Sequence, residues 1–394
     1  MNIKNTHKEQ IVASFTSLKT KEDLLDLLNY VNELMYGQDF KPLTSKGLNY
    51  YANPKNTEKR YTSFTIKKKS GGERTIHAPV KGLKHILKPL NVVFNCVAEP
   101  HAKATGFVPG KSIVDNAKMH VGNQYVYNID LKDFFHSFDR NRVKMGLWYS
   151  FFELIKEMEP LAFLMASLCT HPFEIDGKVQ TVLPQGAPTS PTITNILCLR
   201  LDRRLNGLAK RFKIKYSRYA DDITFSSDTN VFRKDQFINE LHRIIQEDDL
   251  VLNKKKTRLQ QAGYRQEVTG LIVNTKVNVN SRYIKQLRMW LYYWEKYGFE
   301  KAESIFLRDY GNDKGHVKNG KPDFRNVLSG KLEYLKMVKG QEDSTYLALN
   351  NRFEKLSVTT TKTPLNKAQK ENIYSIVDQI FEKGIDEALK NYKI

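Results

Sequence analysis

Three carboxylates at the ends of short strands constrain this chain more than any other feature. The apolar run from Gln124 to Leu131 carries Asp130 near its end, and Ile214 to Ser227 reads as two short strands joined by a turn at Ala220-Asp221-Asp222. Taken singly, a strand-terminal Asp is usually a cap, and an Asp-Asp pair usually a solvated turn. Carboxylates drawn within a few ångströms of one another repel and raise each other's pKa unless a cation compensates. Mg²⁺ suits such a place, because it takes one or two carboxylates and completes its shell with water and substrate phosphate oxygens. Two ions held there would serve phosphoryl transfer, one lowering the pKa of an attacking hydroxyl and the other stabilising a pyrophosphate leaving group. Successive strand side chains face opposite sides, so Asp221 and Asp222 are inequivalent. Asp221 is expected to bridge metals with Asp130, and Asp222 to be the outer ligand.

The rest of the chain has to supply a frame for those strands. Its 394 residues suggest two to three domains, and 40% hydrophobic residues with 21 glycines lie in the globular range, which excludes global disorder and collagen-like repetition. The longest apolar stretch, Leu161 to Cys169, is nine residues interrupted by Ser167, whereas a bilayer span needs about 20. Met1 to Gln10 alternates Lys with polar residues and leads into no apolar segment, so a cytoplasmic location without membrane contact is expected. Cys96, Cys169 and Cys198 form no C-x-x-C pair and are expected to be core thiols. Lys and Arg number 63 against 43 Asp and Glu, and the resulting +20 would attract a polyanion. Aromatic residues interleave with the basic ones, as in Tyr61, Phe64 and Lys67-Lys68-Lys69, or from Trp290 to Lys296. Phosphate contacts combined with base stacking would use that mixture, which makes nucleic acid the leading partner class.

Periodicity fills in the elements. Glu22 to Met35 has helical spacing, and Tyr61 to Pro79 reads as a hairpin with a basic Lys-Lys-Lys-Ser-Gly-Gly tip. Helices are expected over Val80–Ala98, within Asn141–Leu168 and Thr189–Phe212, and over Lys234–Glu247. Leu250–Asn253 and Glu267–Asn274 read as strands, Ser281–Leu307 and Val327–Lys339 as helical, and Ser357–Pro364 as a linker into a last helix, Lys367–Tyr392. Strands and helices mixed in one run, with helical segments at both ends, predict an α+β fold.

Order and context give the acidic residues their meaning. Asn128-Ile129-Asp130-Leu131-Lys132-Asp133-Phe134-Phe135 comes first, then Leu183-Pro184-Gln185-Gly186-Ala187-Pro188-Thr189-Ser190-Pro191, then Tyr219-Ala220-Asp221-Asp222 between strands. This series resembles the palm of a reverse transcriptase, and the resemblance runs through at least Ile66 to Asn274. Two triplets narrow it. Asn116-Ala117 with His120 is similar to the hallmark that bacterial retron reverse transcriptases carry just before the first catalytic Asp, and Val268-Thr269-Gly270 is similar to their second. The second is associated in that family with recognising the structured RNA that serves as primer and template. By themselves, His120 would equally be a hydrogen-bonded core histidine and Val-Thr-Gly a strand running into a turn.

The resemblance implies a right-hand polymerase. Residues 1–50 would be an N-terminal helical cap, 51–129 fingers, 130–275 a palm of antiparallel sheet plus helices, 276–356 a helical thumb, and 357–394 a linker with a C-terminal helix. Asp130, Asp221 and Asp222 would be the catalytic metal ligands, with the Leu131 carbonyl an extra one, for two Mg²⁺ ions. Asp133, Phe134 and Phe135 would line the nucleotide site, and the ring of Phe135 would exclude a 2′-hydroxyl and so select dNTPs. Gln185 and Gly186 would contact the incoming nucleotide and template. Arg74, Lys68 and Lys69 would clamp the triphosphate, and Lys256 would stand near the leaving pyrophosphate. Asn116, Ala117, His120, Val268, Thr269 and Gly270 would belong to RNA recognition.

The function so implied is a retron's RNA-directed DNA polymerase. It would copy a partner noncoding RNA into a short DNA joined to that RNA (msDNA), primed from an RNA 2′-hydroxyl. A separate effector protein and a role in antiphage defence would go with it. The alternatives are an abortive-infection or intron-type reverse transcriptase, which the two triplets disfavour, or a scaffold for RNA and effector with minor polymerase activity, which the intact acidic set disfavours.

Overall fold

The computed structural model describes residues 3–361, apart from 38–39, 54, 57–58, 68–70, 176 and 315–321. Two compact units divide at residues 279 and 280. Unit 1 begins with helices α1 (Asn5–Thr16), α2 (Lys21–Tyr36) and α3 (Ser45–Ala52), followed by the hairpin β1 (Tyr61–Lys67) and β2 (Glu73–Pro79). Next come α4 (Lys81–Val97), α5 (Ile113–Lys118), β3 (Tyr125–Asp130), α6 (Arg140–Phe152) and α7 (Glu159–Cys169). A second hairpin, β4 (His171–Ile175) and β5 (Lys178–Val182), precedes α8 (Ser190–Leu197), α9 (Leu199–Arg211), β6 (Lys215–Tyr219) and β7 (Asp222–Ser227). The unit closes with α10 (Asp235–Glu247), β8 (Arg258–Gln261), β9 (Glu267–Val268) and β10 (Leu271–Ile272).

The central sheet is antiparallel with order β6-β7-β3-β8, and its two faces differ in character. Strand register puts Tyr216, Phe225 and Tyr127 in one cross-strand row, and Phe237 of α10 packs edge-on against Phe225 and Tyr127. The opposite face carries the rows Ser217, Thr224, Asn128 and Tyr219, Asp222, Asp130. A sheet with one aromatic face must bury it, and α9 and α10 do so. Asp130 and Asp222 therefore lie on the face opposite α9 and α10, at the end of their strands beyond the buried row of Ser217, Thr224 and Asn128. Among the other elements, α2 starts from a capping box in which Thr20 and Asp23 satisfy each other's backbone N–H groups. Buried leucines of α2 and α4 then merge into one core with the sheet. Cys169 and Cys198 are core thiols, which burial pushes up to about 12.

Unit 2 comprises α11 (Ser281–Tyr297), α12 (Phe299–Lys314), α13 (Phe324–Lys339) and α14 (Ser344–Thr361). Its core is aromatic: Trp290 meets Phe306 edge-on at 5.1 Å, and Trp294 packs on Phe299, Phe324 and Phe353.

Several sequence expectations change. The helical stretch Ser281–Leu307 breaks at Gly298, whose φ of 80° ends α11 by a route that L residues rarely take. Ser357–Thr361 continues helix α14 and is no linker, while the rest of that expectation, 362–394, lies outside the described residues. Glu267–Asn274 is a tight hairpin and not one strand, because Thr269 and Gly270 both have positive φ, 48° and 82°. Among the described residues, no helix is long and apolar enough to cross a membrane.

Candidate active site

Register brings the acids together. Asp130 at the end of β3 is the direct cross-strand partner of Asp222 at the start of β7, and the Leu131 N–H donates to the Asp221 carbonyl at 3.0 Å. Ala220 turns the chain between β6 and β7 with φ 58°, a left-handed conformation at a residue with a Cβ. Burial raises the pKa of Asp221, and the nearby charge of Asp130 adds to it, while Lys256 and Arg74 pull the other way. Burial together with the charges of Asp221 and Asp130 lifts Asp222 to about 7. Asp222 sits directly opposite Asp130 in the strand register, and burial is the first cause of its raised pKa.

Two cationic or polar side chains already answer Asp130. Lys256 Nζ lies 2.9 Å from its Oδ2, and Asn253 Nδ2 donates to its Oδ1 at 3.0 Å. The segment carrying both is stitched to β3, since the Asn253 N–H donates to the Asp130 carbonyl and the Lys132 N–H to the Val251 carbonyl. A recess of about 370 Å³ opens here, lined by Asp130, Asp222, Lys255, Lys256 and Arg258 among others. Among the described residues, no group of three or more His, Cys, Asp or Glu side chains is placed to hold a metal ion. The electrostatics at Asp221 and Asp222 suit a divalent cation, since buried carboxylates with raised pKa are what such an ion relieves.

Behind the turn lies a buried polar network that the sequence reading missed. Arg218 of β6 and Asp202 of α9 are fully buried and paired at 2.6 Å, and Tyr216 donates its hydroxyl to the same carboxylate at 2.6 Å. Arg218 Nη1 donates to the Ala220 carbonyl at 3.1 Å, and Nη2 to Asn195 Oδ1 at 3.1 Å. The guanidinium thereby pins the left-handed turn from beneath. A signal existed, since Asp202 interrupts an otherwise apolar helix face of Leu201, Leu205 and Leu208, and Arg218 interrupts a buried strand. One charge on each of two apolar faces implies a buried pair.

The other expected residues separate into those that face the site and those that build it. Arg74, on β2, is close enough to act electrostatically on Asp221; Lys68 and Lys69 lie outside the described residues. Asp133 is exposed, with φ 47°, and Phe135 is half-buried. Phe134 is buried and packs edge-on against Phe138 at 5.3 Å, so it belongs to the core and does not face the site. Gln185 accepts the His77 N–H at 2.8 Å, which docks this loop on β2. Gly186 has φ 126°, and a Cβ there would stand 2.6 Å from the His77 carbonyl oxygen, so the close approach that requires glycine is to β2.

The two triplets pack side by side. Thr269 Oγ1 donates to the Ile113 carbonyl at 3.3 Å, joining the β9–β10 turn to α5, which carries Asn116 and Ala117. Asn116, Ala117, His120 and Val268 are buried and offer an RNA no side-chain surface; of the six residues only Thr269 and Gly270 reach solvent. His120 bonds Ser226 at 2.8 Å and Ser217 at 2.7 Å, and Asn116 Oδ1 accepts from Thr105 Oγ1 at 2.9 Å. Thr105 Oγ1 also reaches the Arg218 carbonyl at 3.1 Å, so the first triplet supports the strand that leads into the acidic turn.

Comparison with known proteins agrees with this geometry. The family profile for reverse transcriptase (RNA-dependent DNA polymerase) matches residues 66–275. The Retron Mx65 reverse transcriptase of Myxococcus xanthus is 38% identical over 245 residues, covering 61% of this chain and 57% of that protein. The Retron Mx162 reverse transcriptase of the same organism is 39% identical over 235 residues, covering 55% and 48%. The Retron Ec86 reverse transcriptase of Escherichia coli is 29% identical over 317 residues, covering 79% and 85%. The chain spans about half the length of the two Myxococcus relatives. With its acid-tipped hairpin, its docked Gln185-Gly186 loop and its paired triplets, the chain belongs to the reverse transcriptase family, in its bacterial retron type.

Proposed function

We propose that this chain is an RNA-directed DNA polymerase that copies part of a structured partner RNA into a short DNA left joined to that RNA, starting from an RNA 2′-hydroxyl. The observation that carries the reading is the approach of Asp130, Asp221 and Asp222 at the ends of the two central strands, with Lys256 bonded to Asp130 and Arg74 acting electrostatically on Asp221. Bound Mg²⁺, two ions in this reading, would activate the attacking hydroxyl and neutralise the leaving pyrophosphate. Asp130, Asp221 and Asp222 would hold the ions. Arg74, with Lys68 and Lys69, would bring positive charge to the triphosphate of a dNTP, and Lys256 would exchange its bond to Asp130 for one to the departing phosphates. Phe135 would fill the space of a 2′-hydroxyl. The solvent-facing turn Thr269-Gly270 would meet the RNA, and α11–α14 would hold the duplex as a thumb. Residues 51–129 would then be the fingers and 130–275 the palm. A separate effector protein and antiphage defence complete the reading.

The test is to express the protein from its native locus, purify it, and resolve the bound nucleic acid on a denaturing gel before and after RNase and DNase. A small DNA whose mobility shifts with RNase, and which is absent from Asp221→Asn, is the expected result. RNA alone from both proteins would point to a scaffold, and RNase-insensitive DNA to synthesis without self-priming. DNA from Asp221→Asn would overturn the metal assignment.

A further inference from the structure

Phe107 occupies an unfavourable position for its residue type. Its φ is 60° and its side chain is 43% exposed, although a left-handed conformation is costly for a residue with a Cβ and an exposed phenyl ring gains little from burial. Such an outlier persists only where its surroundings over-determine it, and it points to function when it lies beside a reactive site.

The surroundings do fix it. Residues 103–105 run parallel to β6, with the Arg218 N–H donating to the Lys103 carbonyl and the Thr105 N–H to the Arg218 carbonyl. Gly106 then touches the acidic turn so closely that a Cβ would stand 2.5 Å from Ala220 N. Its carbonyl accepts from Asn195 Nδ2 at 2.9 Å, and Asn195 is held by the same Arg218 that pins Ala220. Phe107 is thus carried on backbone locked to the turn. From there its ring reaches Tyr219, centroids 6.2 Å apart, and Phe135, centroids 6.5 Å apart and tilted 49°. Phe135 has another ring neighbour, buried Phe134, edge-on at 5.6 Å. Half-buried Phe135 therefore contacts both a core phenyl and an exposed one, each within the range of favourable aromatic pairs.

We propose that Phe107 is a positioning residue for sugar selection, bracing Phe135 so that its ring stays where a 2′-hydroxyl would go. The inference rests on the polymerase reading of Phe135 given above. Steric exclusion works only if the blocking group cannot rotate aside, and Phe135 has Phe134 and Phe107 as ring neighbours. Tying Phe107 to the acidic turn fixes the blocking ring relative to the carboxylates that would hold the metal ions.

The experiment compares kcat/KM for a dNTP and its ribonucleotide, by primer extension on an RNA template, in wild type, Phe107→Ala, Phe107→Tyr and Phe135→Ala, each checked for an unchanged melting temperature. Phe107→Ala is expected to lower the deoxy-to-ribo preference roughly tenfold, mainly by admitting the ribonucleotide, while Phe107→Tyr restores it. An unchanged preference in Phe107→Ala alongside a collapsed one in Phe135→Ala would overturn the bracing role alone. Equal loss of both nucleotides would do the same, since it would mark a merely structural residue. An unchanged preference in Phe135→Ala would overturn the reading of Phe135, and the inference with it.

Discussion

Between Ser217 and Ser226, the imidazole of His120 has a hydroxyl on each ring nitrogen and no access to water. Burial, with Lys215 and Lys103 adding to it, lowers its pKa to about 3, so the folded protein keeps the ring neutral, one nitrogen donating and the other accepting. The unfolded chain protonates near 6.5, so it binds more protons than the folded one between about 3 and 6.5. Stability contributed by this group is complete above 6.5 and is lost as pH falls. Each unit below that value costs about 1.4 kcal/mol, or roughly 2 kcal/mol at pH 5. Urea midpoints of wild type and His120→Gln, followed from pH 7 to pH 5, should fall more steeply in the wild type; parallel curves would contradict a neutral buried ring. The same residue shows a limit of motif reading: the triplet is recognisable from its spacing, but that its histidine faces two serines of the central sheet follows only from strand register.

At the scale of elements, the acidic hairpin depends on the Asp202–Arg218 pair beneath it. Removing one partner leaves the other buried without compensation, which costs on the order of 3–5 kcal/mol. Asp202→Asn is therefore expected to lower the melting temperature sharply and to abolish DNA synthesis, because the Ala220 turn loses its support. Glu240→Gln, which breaks the exposed Arg243 pair on α10, should do little to either. Comparable behaviour of the two variants would show that the buried pair is not what holds the turn. Local sequence announced most elements of this region: alternation marked β1 and β2, and helical spacing marked α2 and α10. It did not announce β4, β5 or β8, since short strands without strong alternation are defined by their partners. It also merged β9 and β10, because only the backbone shows that Thr269 and Gly270 both turn left-handed.

For the whole molecule, the governing quantity is the excess of 20 positive charges. Binding through phosphates releases counterions, so affinity for RNA should fall steeply with salt. Three engaged phosphates would give roughly a tenfold loss on tripling the salt concentration, at about 0.7 per phosphate on single strands. Filter binding of the partner RNA between 0.1 and 0.3 M salt, ranges chosen to be about one tripling apart, checks this; a flat profile would rule out phosphate contacts as the main source of affinity.

By itself the sequence determined the α+β class, the helical periodicity of the chain from Ser281 onward, the acidic strand ends and the order of motifs that marks the family. These are local or sequential properties, carried by side-chain period, turn chemistry and spacing. Tertiary structure alone decided that Asp222 faces Asp130, that Phe134 is core while Phe135 is only half-buried, and that the two triplets share one support. It also decided that Arg218 and Asp202 meet under the turn. Each of these depends on register or on contact between residues far apart in the chain, and burial, which sets both the pKa of Asp222 and the neutrality of His120, exists only once those contacts have formed.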